Sequence, residues 1–157
     1  RIVEFRDGQS MARRLLRMKE RYLDRAPDGA GHRMRFGLLD VHGGTHSVHP
    51  GRQLTMAHLG TPKTRSLLQS CFEPGAWVTL QSCSTGKEDD GVAATLSQAG
   101  LRVVGPSMEA SSTIKVQDDT RTGIRLAPKY IKGAARVFEG GQRVDTYPEV
   151  TDLTGAA

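Results

Sequence analysis

Two apolar runs dominate the hydropathy of the chain, Met34 to Val41 (MRFGLLDV) and the unbroken Trp77 to Leu80 at the head of WVTLQSCSTG. Short runs of aromatic, β-branched and aliphatic residues between turn formers read as buried strands. Glu73-Pro74-Gly75 precedes the second run and Ser84-Thr85-Gly86 follows it, so the strand is expected to begin near Trp77. Arg1 to Phe5 alternates as a short strand, and Leu101 to Val104 is another, closed by Gly105-Pro106. Helical periodicity lies between them. Ser10 can cap a helix reaching about Arg25, with Met11, Leu15, Met18 and Tyr22 on one stripe, Leu16 and Leu23 widening it, and arginines on the solvated face. Thr61-Pro62 is an N-cap and N1 pair for a helix over Lys63 to Phe72, with Leu67, Leu68 and Phe72 inward and Cys71 as a small buried hydrophobe. A third helix is expected from about Asp90 to Gln98, stopped by Gly100.

The order β-α-β-loop-α-β-α-β implies an α/β fold, a three-layer α/β/α sandwich whose mostly parallel central sheet carries helices on both faces. Residues 1–150 read as one domain and 151–157 (TDLTGAA) as a frayed tail. Beyond Pro106 the pattern weakens. Ser111 to Val116 and Arg136 to Glu139 are expected strands, and Gly140-Gly141 a hairpin turn into QRVDTY. Ala26 to Arg33 is a turn-rich loop, and Gly43 to Gly60 reads as a long one, which in a compact domain is usually functional or mobile.

Charge narrows the partners. The chain of 157 residues carries a net +5, with a pI near 9.6. Basic residues are spread from Arg1 to Arg143 and aromatics are only 5%, so the stacking platforms of nucleic-acid binders are missing and nucleic acid is not the expected partner. A polyanion activator, such as an inositol phosphate, fits the charge. Two cysteines, Cys71 and Cys83, form no disulfide framework or cysteine zinc site. No apolar stretch approaches the roughly 20 residues of a membrane span. The chain starts at Arg1 without a methionine, so it reads as a processed product or excised piece of a larger parent chain, cytoplasmic or delivered as an effector.

The chemistry concentrates at the ends of the two apolar runs. Cys83 falls where the second strand should end, beside an expected helix N-terminus that favours a thiolate. The first run ends in His42-Gly43-Gly44, so a base and a nucleophile meet at one rim of a parallel sheet. Asp40 should share a strand face with His42 and can orient it, or be a solvated strand residue. Two rival readings stand beside this one. Cys83 can be an inert thiol closing a strand, and His42, His46 and His49 (H-x3-H-x2-H, with His58 nearby) can be zinc ligands, although they lie in a Gly- and Pro-interrupted loop without an H-E-x-x-H helix. No metal or other cofactor is expected on the preferred reading.

An apolar strand ending in His-Gly, a helix, then an apolar strand ending in Ser-Cys-Ser-x-Gly resembles the paired motifs of the caspase-haemoglobinase superfamily, the clan CD cysteine peptidases, which include caspases, clostripain-like enzymes, CHAT domains and toxin cysteine protease domains. The resemblance covers residues 34–106, about half the chain. It implies a caspase-like fold and a cysteine endopeptidase acting on a protein or peptide, with autoprocessing among its expected activities. Cys83 would attack the scissile carbonyl, His42 would serve as general acid and base, and the peptide N–H groups of Gly43 and Cys83 would form the oxyanion hole. By position, Ser107 and Met108 open a stretch to Val116 whose edge would take substrate as an added strand. Glu88, Asp89 and Asp90 would favour a basic substrate side chain, or serve as helix-start capping residues. The arginine-bearing pocket motif of aspartate-specific enzymes is missing. A catalytically silent interaction or regulatory domain on the same fold, and a metal-dependent hydrolase using His42, His46 and His49, are the alternatives.

Overall fold

The computed structural model describes residues 3–25, 31–111, 115–119, 123–127 and 130–147. The expected frayed tail, most of the Ala26 to Arg33 loop and the middle of Ser111 to Val116 lie outside these residues. Residues 3–5 form no strand, and the first element is helix α1, Gly8–Met18. Its cap is Asp7, three residues before the expected Ser10. The Asp7 carboxylate accepts the Ser10 N–H at 2.8 Å while the Ser10 hydroxyl accepts the Asp7 N–H at 3.0 Å, which satisfies two amides at once. These bonds hold the Asp7 carboxyl below the usual carboxylate range. At Lys19–Leu23 the helix widens into a π-helical turn.

The remaining elements are β1 (Met34–Asp40), β2 (His42–Gly43), β3 (Ser47–His49), β4 (Leu54–Thr55), α2 (Met56–Leu59), α3 (Pro62–Cys71), β5 (Phe72–Gln81), α4 (Val92–Ser97), β6 (Arg102–Pro106), β7 (Glu109–Ala110), β8 (Lys115–Asp119), β9 (Gly123–Ala127), β10 (Tyr130–Lys132), β11 (Ala135–Glu139) and β12 (Gln142–Tyr147). The central sheet has the order β1-β5-β6-β11-β12. β1, β5 and β6 run parallel, and β11 and β12 are added antiparallel. The fold is α/β with a mixed sheet built on parallel core strands. The hairpin at Gly140-Gly141 forms as expected, both glycines having positive φ.

Two local expectations change. Strand β5 starts at Phe72, directly after α3, rather than at Trp77. Glu73-Pro74-Gly75 is absorbed as an irregularity: the register against β1 shifts between Met34 and Phe36, Gly75 takes φ 77°, and its N–H bonds the Gly100 carbonyl at 2.7 Å. The Gly43 to Gly60 segment folds into the small sheet β2-β3-β4 followed by α2. Val48, Leu54 and Leu59 are the buried residues that tie it to the core.

The expected helices on both faces are not found among the described residues. All four helices contribute to one cluster with Ala76, Val78, Leu80, Val103 and Phe138. The other face carries Val104, Ala135 and Val137 under Trp77, Tyr130 and Tyr147, with the Arg102 guanidinium 4.3 Å from the centre of the Trp77 ring. The reason is topological. Strand order advances one way through β1, β5 and β6, and right-handed crossovers then put both connecting helices on the same side, whereas two helical layers need a reversal. Tyr130 helps to close the second face, its hydroxyl donating to the Leu80 carbonyl at 2.8 Å, and burial raises its phenol so that it stays protonated. Among the described residues no helix is long and apolar enough to cross a membrane.

Phe138 has no exposed surface and fills the centre of the helical face. Phe138→Ala should therefore lower unfolding free energy by about 3–5 kcal/mol, read by urea denaturation; a loss below about 1 kcal/mol would show that the cluster is not the stabilising core.

Candidate functional site

The site follows from one register. β1 and β5 are parallel neighbours with Asp40 opposite Gln81, so His42 and Cys83 each stand two residues beyond the same level of the sheet. The chains then touch. A Cβ on Gly43 would lie 2.8 Å from Ser82 Cβ, 2.9 Å from the Cys83 carbonyl oxygen and 3.0 Å from Thr85 Cγ2. Only a glycine lets the His42-Gly43 backbone sit this close to the cysteine turn.

His42 is exposed and starts the β2-β3 hairpin, where it faces His49. The Gly44 N–H donates to the Ser47 carbonyl at 2.8 Å, which makes that pair hydrogen-bonded. Alternation along an antiparallel ladder then leaves the Gly43-Val48 pair without cross-strand bonds, so the Gly43 N–H points away from β3. The hairpin turn is pinned to α4, whose Val92 N–H donates to the Thr45 carbonyl at 3.0 Å.

Cys83 is half-buried and free. Its sulfur receives the Ala110 N–H at 3.4 Å, and its S–H can donate to the Ala110 carbonyl at 3.8 Å. The next residue, Ser84, takes φ 57°, the left-handed region that costs a non-glycine residue about 1–2 kcal/mol. The turn is held in place. The Ser84 N–H donates to the Met108 carbonyl at 2.6 Å, the Gly86 N–H to the Pro106 carbonyl at 2.9 Å, and the Thr85 hydroxyl to the Ser82 carbonyl at 2.9 Å. Among the described residues the Cys83 N–H has no backbone acceptor. Among the described residues the buried Ser82 hydroxyl has no hydrogen-bond partner.

The expected helix N-terminus does not serve the thiol. Helix α4 begins only at Val92, and its first amides go to the Thr45 and Thr85 carbonyls. Ala110 supplies the N–H that faces the sulfur instead. A backbone amide has no side-chain signature, so nothing in the sequence marks it.

The other candidates are placed as follows. Asp40 is exposed at the end of β1, and partial desolvation raises its carboxyl while the nearby His42 opposes the shift. Glu88 is exposed, Asp89 pairs with Arg143 at 3.2 Å, and Asp90 with His46 at 3.3 Å. Ser107 is buried, its hydroxyl accepting the Ala134 N–H at 2.8 Å, so it ties the chain before β7 to the chain before β11. Met108 exposes its side chain beside the cysteine turn. One side of β7 is already paired with β10. Of the histidines, His42 and His49 remain cross-strand neighbours while His46 turns to Asp90; His49 meets Ser47 at 3.0 Å and His58 meets Thr55 at 3.0 Å. Among the described residues no group of three His, Cys, Asp or Glu side chains is gathered for a metal ion.

Comparison with family models, with curated proteins and with solved structures gives no match.

Two substitutions test this geometry. Gly43→Ala should cost about 1–3 kcal/mol of stability in denaturant melts, because its methyl must displace the cysteine turn. Asp40→Asn tests the carboxyl. A carboxyl that holds its proton more tightly folded than unfolded removes stability as it ionises, so the wild type should fall behind Asp40→Asn as pH rises from about 4 to 7. Parallel stability curves for the two proteins would contradict the desolvation of Asp40.

Proposed function

We propose that this chain is a cysteine peptidase in which Cys83 is the nucleophile and His42 the general acid and base. The observation that carries the proposal is the parallel, in-register exit of β1 and β5, which sets the His42-Gly43 backbone against the Ser82 to Thr85 turn. In the reaction the thiolate forms a bond to the scissile carbonyl carbon. The oxygen takes the charge and is met by the Gly43 and Cys83 amides, one directed away from its hairpin partner and the other without a backbone acceptor. His42 then delivers a proton to the leaving amine, and water releases the acyl group. The Ala110 N–H, 3.4 Å from the sulfur, holds Cys83 in place beside the turn.

The caspase-like assignment of the fold belongs to the same proposal. Its support is the order of elements, with the histidine and cysteine just beyond the carboxyl ends of the adjacent parallel strands β1 and β5, between which the chain forms the β2-β3-β4 sheet and helices α2 and α3. A catalytically silent interaction domain is the second reading, favoured by the Ala110 carbonyl, which can hold the thiol in its protonated form. Glu88, the one of the three acids left unpaired among the described residues, makes a basic substrate side chain the preferred one in the first reading.

The test is the rate of iodoacetamide alkylation at Cys83 in a Cys71→Ala background, with and without His42→Ala. The expected result is fast alkylation of the folded protein that slows with His42→Ala. Alkylation only on unfolding, or indifferent to His42, overturns the peptidase.

A further inference from the structure

The net charge of the chain is concentrated in one element. Residues 6–25 hold seven basic and three acidic side chains, a balance of +4 against +5 for the whole chain. Of the three acids, Asp7 is consumed as the α1 cap and Asp24 pairs with Lys19 at 2.9 Å. Arg14, Arg17 and Arg21 have no carboxylate partner among the described residues. They follow the i, i+3, i+7 pattern along one flank of the helix.

These three arginines border a groove of about 180 Å³ whose apolar lining comes from Val3, Met18 and Tyr22. Small-molecule pockets usually run to about 300–1,000 Å³, so the groove suits side chains of a larger partner. Its length suits an extended chain. Arg14 to Arg21 spans about 10 Å of helix rise, and carboxylates on alternate residues of a strand recur about every 6.6 Å. Arg21 and Tyr22 lie in the π-helical turn, a distortion often found where a helix has a binding role.

We propose that this groove docks an acidic peptide segment of a partner protein, with an apolar side chain set on Val3, Met18 and Tyr22 and carboxylates paired to Arg14, Arg17 and Arg21. Glu4 decides against a uniform polyanion. It lines the same groove, so a nucleic-acid strand or an anionic lipid surface meets a like charge there, whereas a mixed peptide can place a basic residue beside it. The groove contains neither His42 nor Cys83, so docking is independent of the proposed chemistry.

The experiment is fluorescence anisotropy on the whole chain with a fluorescein-labelled peptide of alternating Glu and Leu that carries one terminal Lys to meet Glu4. A Lys-Leu peptide, a single-stranded DNA and phosphatidylserine vesicles are the comparators. The Glu-Leu peptide should bind and the Lys-Leu peptide should not. Replacing all three arginines, R14Q/R17Q/R21Q, should weaken binding at least tenfold, as three ion pairs of about 0.5 kcal/mol each imply. Lys63→Gln and Lys132→Gln should leave binding unchanged. If the triple variant fails to fold by circular dichroism, Arg17→Gln alone should still weaken binding twofold. No binding of the Glu-Leu peptide, equal binding of the Lys-Leu peptide, preference for DNA or vesicles, or arginine variants that bind as wild type would each overturn the proposal.

Discussion

The parallel pairing of β1 with β5 is the constraint on which the rest depends. Asp40 opposite Gln81 means that two chain exits, distant in sequence, occur at one level of the sheet. A slip of one residue would exchange the two faces of β1 and move Leu39 off the helical core. The hydrophobic effect therefore sets the register, and the register brings the His42-Gly43 backbone against the cysteine turn. The geometry of this rim is in that sense a by-product of how Val78 and Leu80 are buried.

Close backbone approach then does what side chains cannot. Gly43 lies against the cysteine turn, and Gly86 and Gly105 meet so tightly that a methyl on either would collide with the other's backbone. These contacts over-determine the turn, which is how Ser84 is kept in a left-handed conformation. The chain beyond β6 completes the enclosure. Met108 accepts from Ser84, Ala110 donates to the sulfur, and Tyr130 seals the second sheet face. The Arg136 side chain reaches back to the Gly86 and Lys87 carbonyls from β11.

Charge is divided over the surface. The basic flank of α1 stands with few acids near it, while the cysteine turn is followed by Glu88, Asp89 and Asp90. Two of those three are engaged, Asp89 by Arg143 and Asp90 by His46, which leaves Glu88 as the unpaired acid of the group among the described residues. Exposed pairs of this kind contribute little stability, so their effect is to position chain segments and to set which partners approach.

Local pattern was enough for the elements whose signal is local. The apolar runs at β1 and β5, the Thr61-Pro62 start of α3, and the Gly140-Gly141 hairpin are all legible because periodicity, capping and turn chemistry act over a few residues. The Asp7 cap is also a local signal, since Asp7 and Ser10 have capping-box spacing, although that spacing offers both residues and the cap is Asp7 rather than Ser10. Other features were out of reach. That Glu73-Pro74-Gly75 lies inside β5 depends on a partner strand that accepts the irregularity, and helices on one face follow from the direction in which strands are added. Candidate chemistry was named from sequence because histidine and cysteine are distinctive residue types. The amide of Ala110, the carbonyl of Met108 and the inward turn of Ser107 were settled only by tertiary structure, because backbone groups are alike everywhere in a chain and acquire identity from what packs against them.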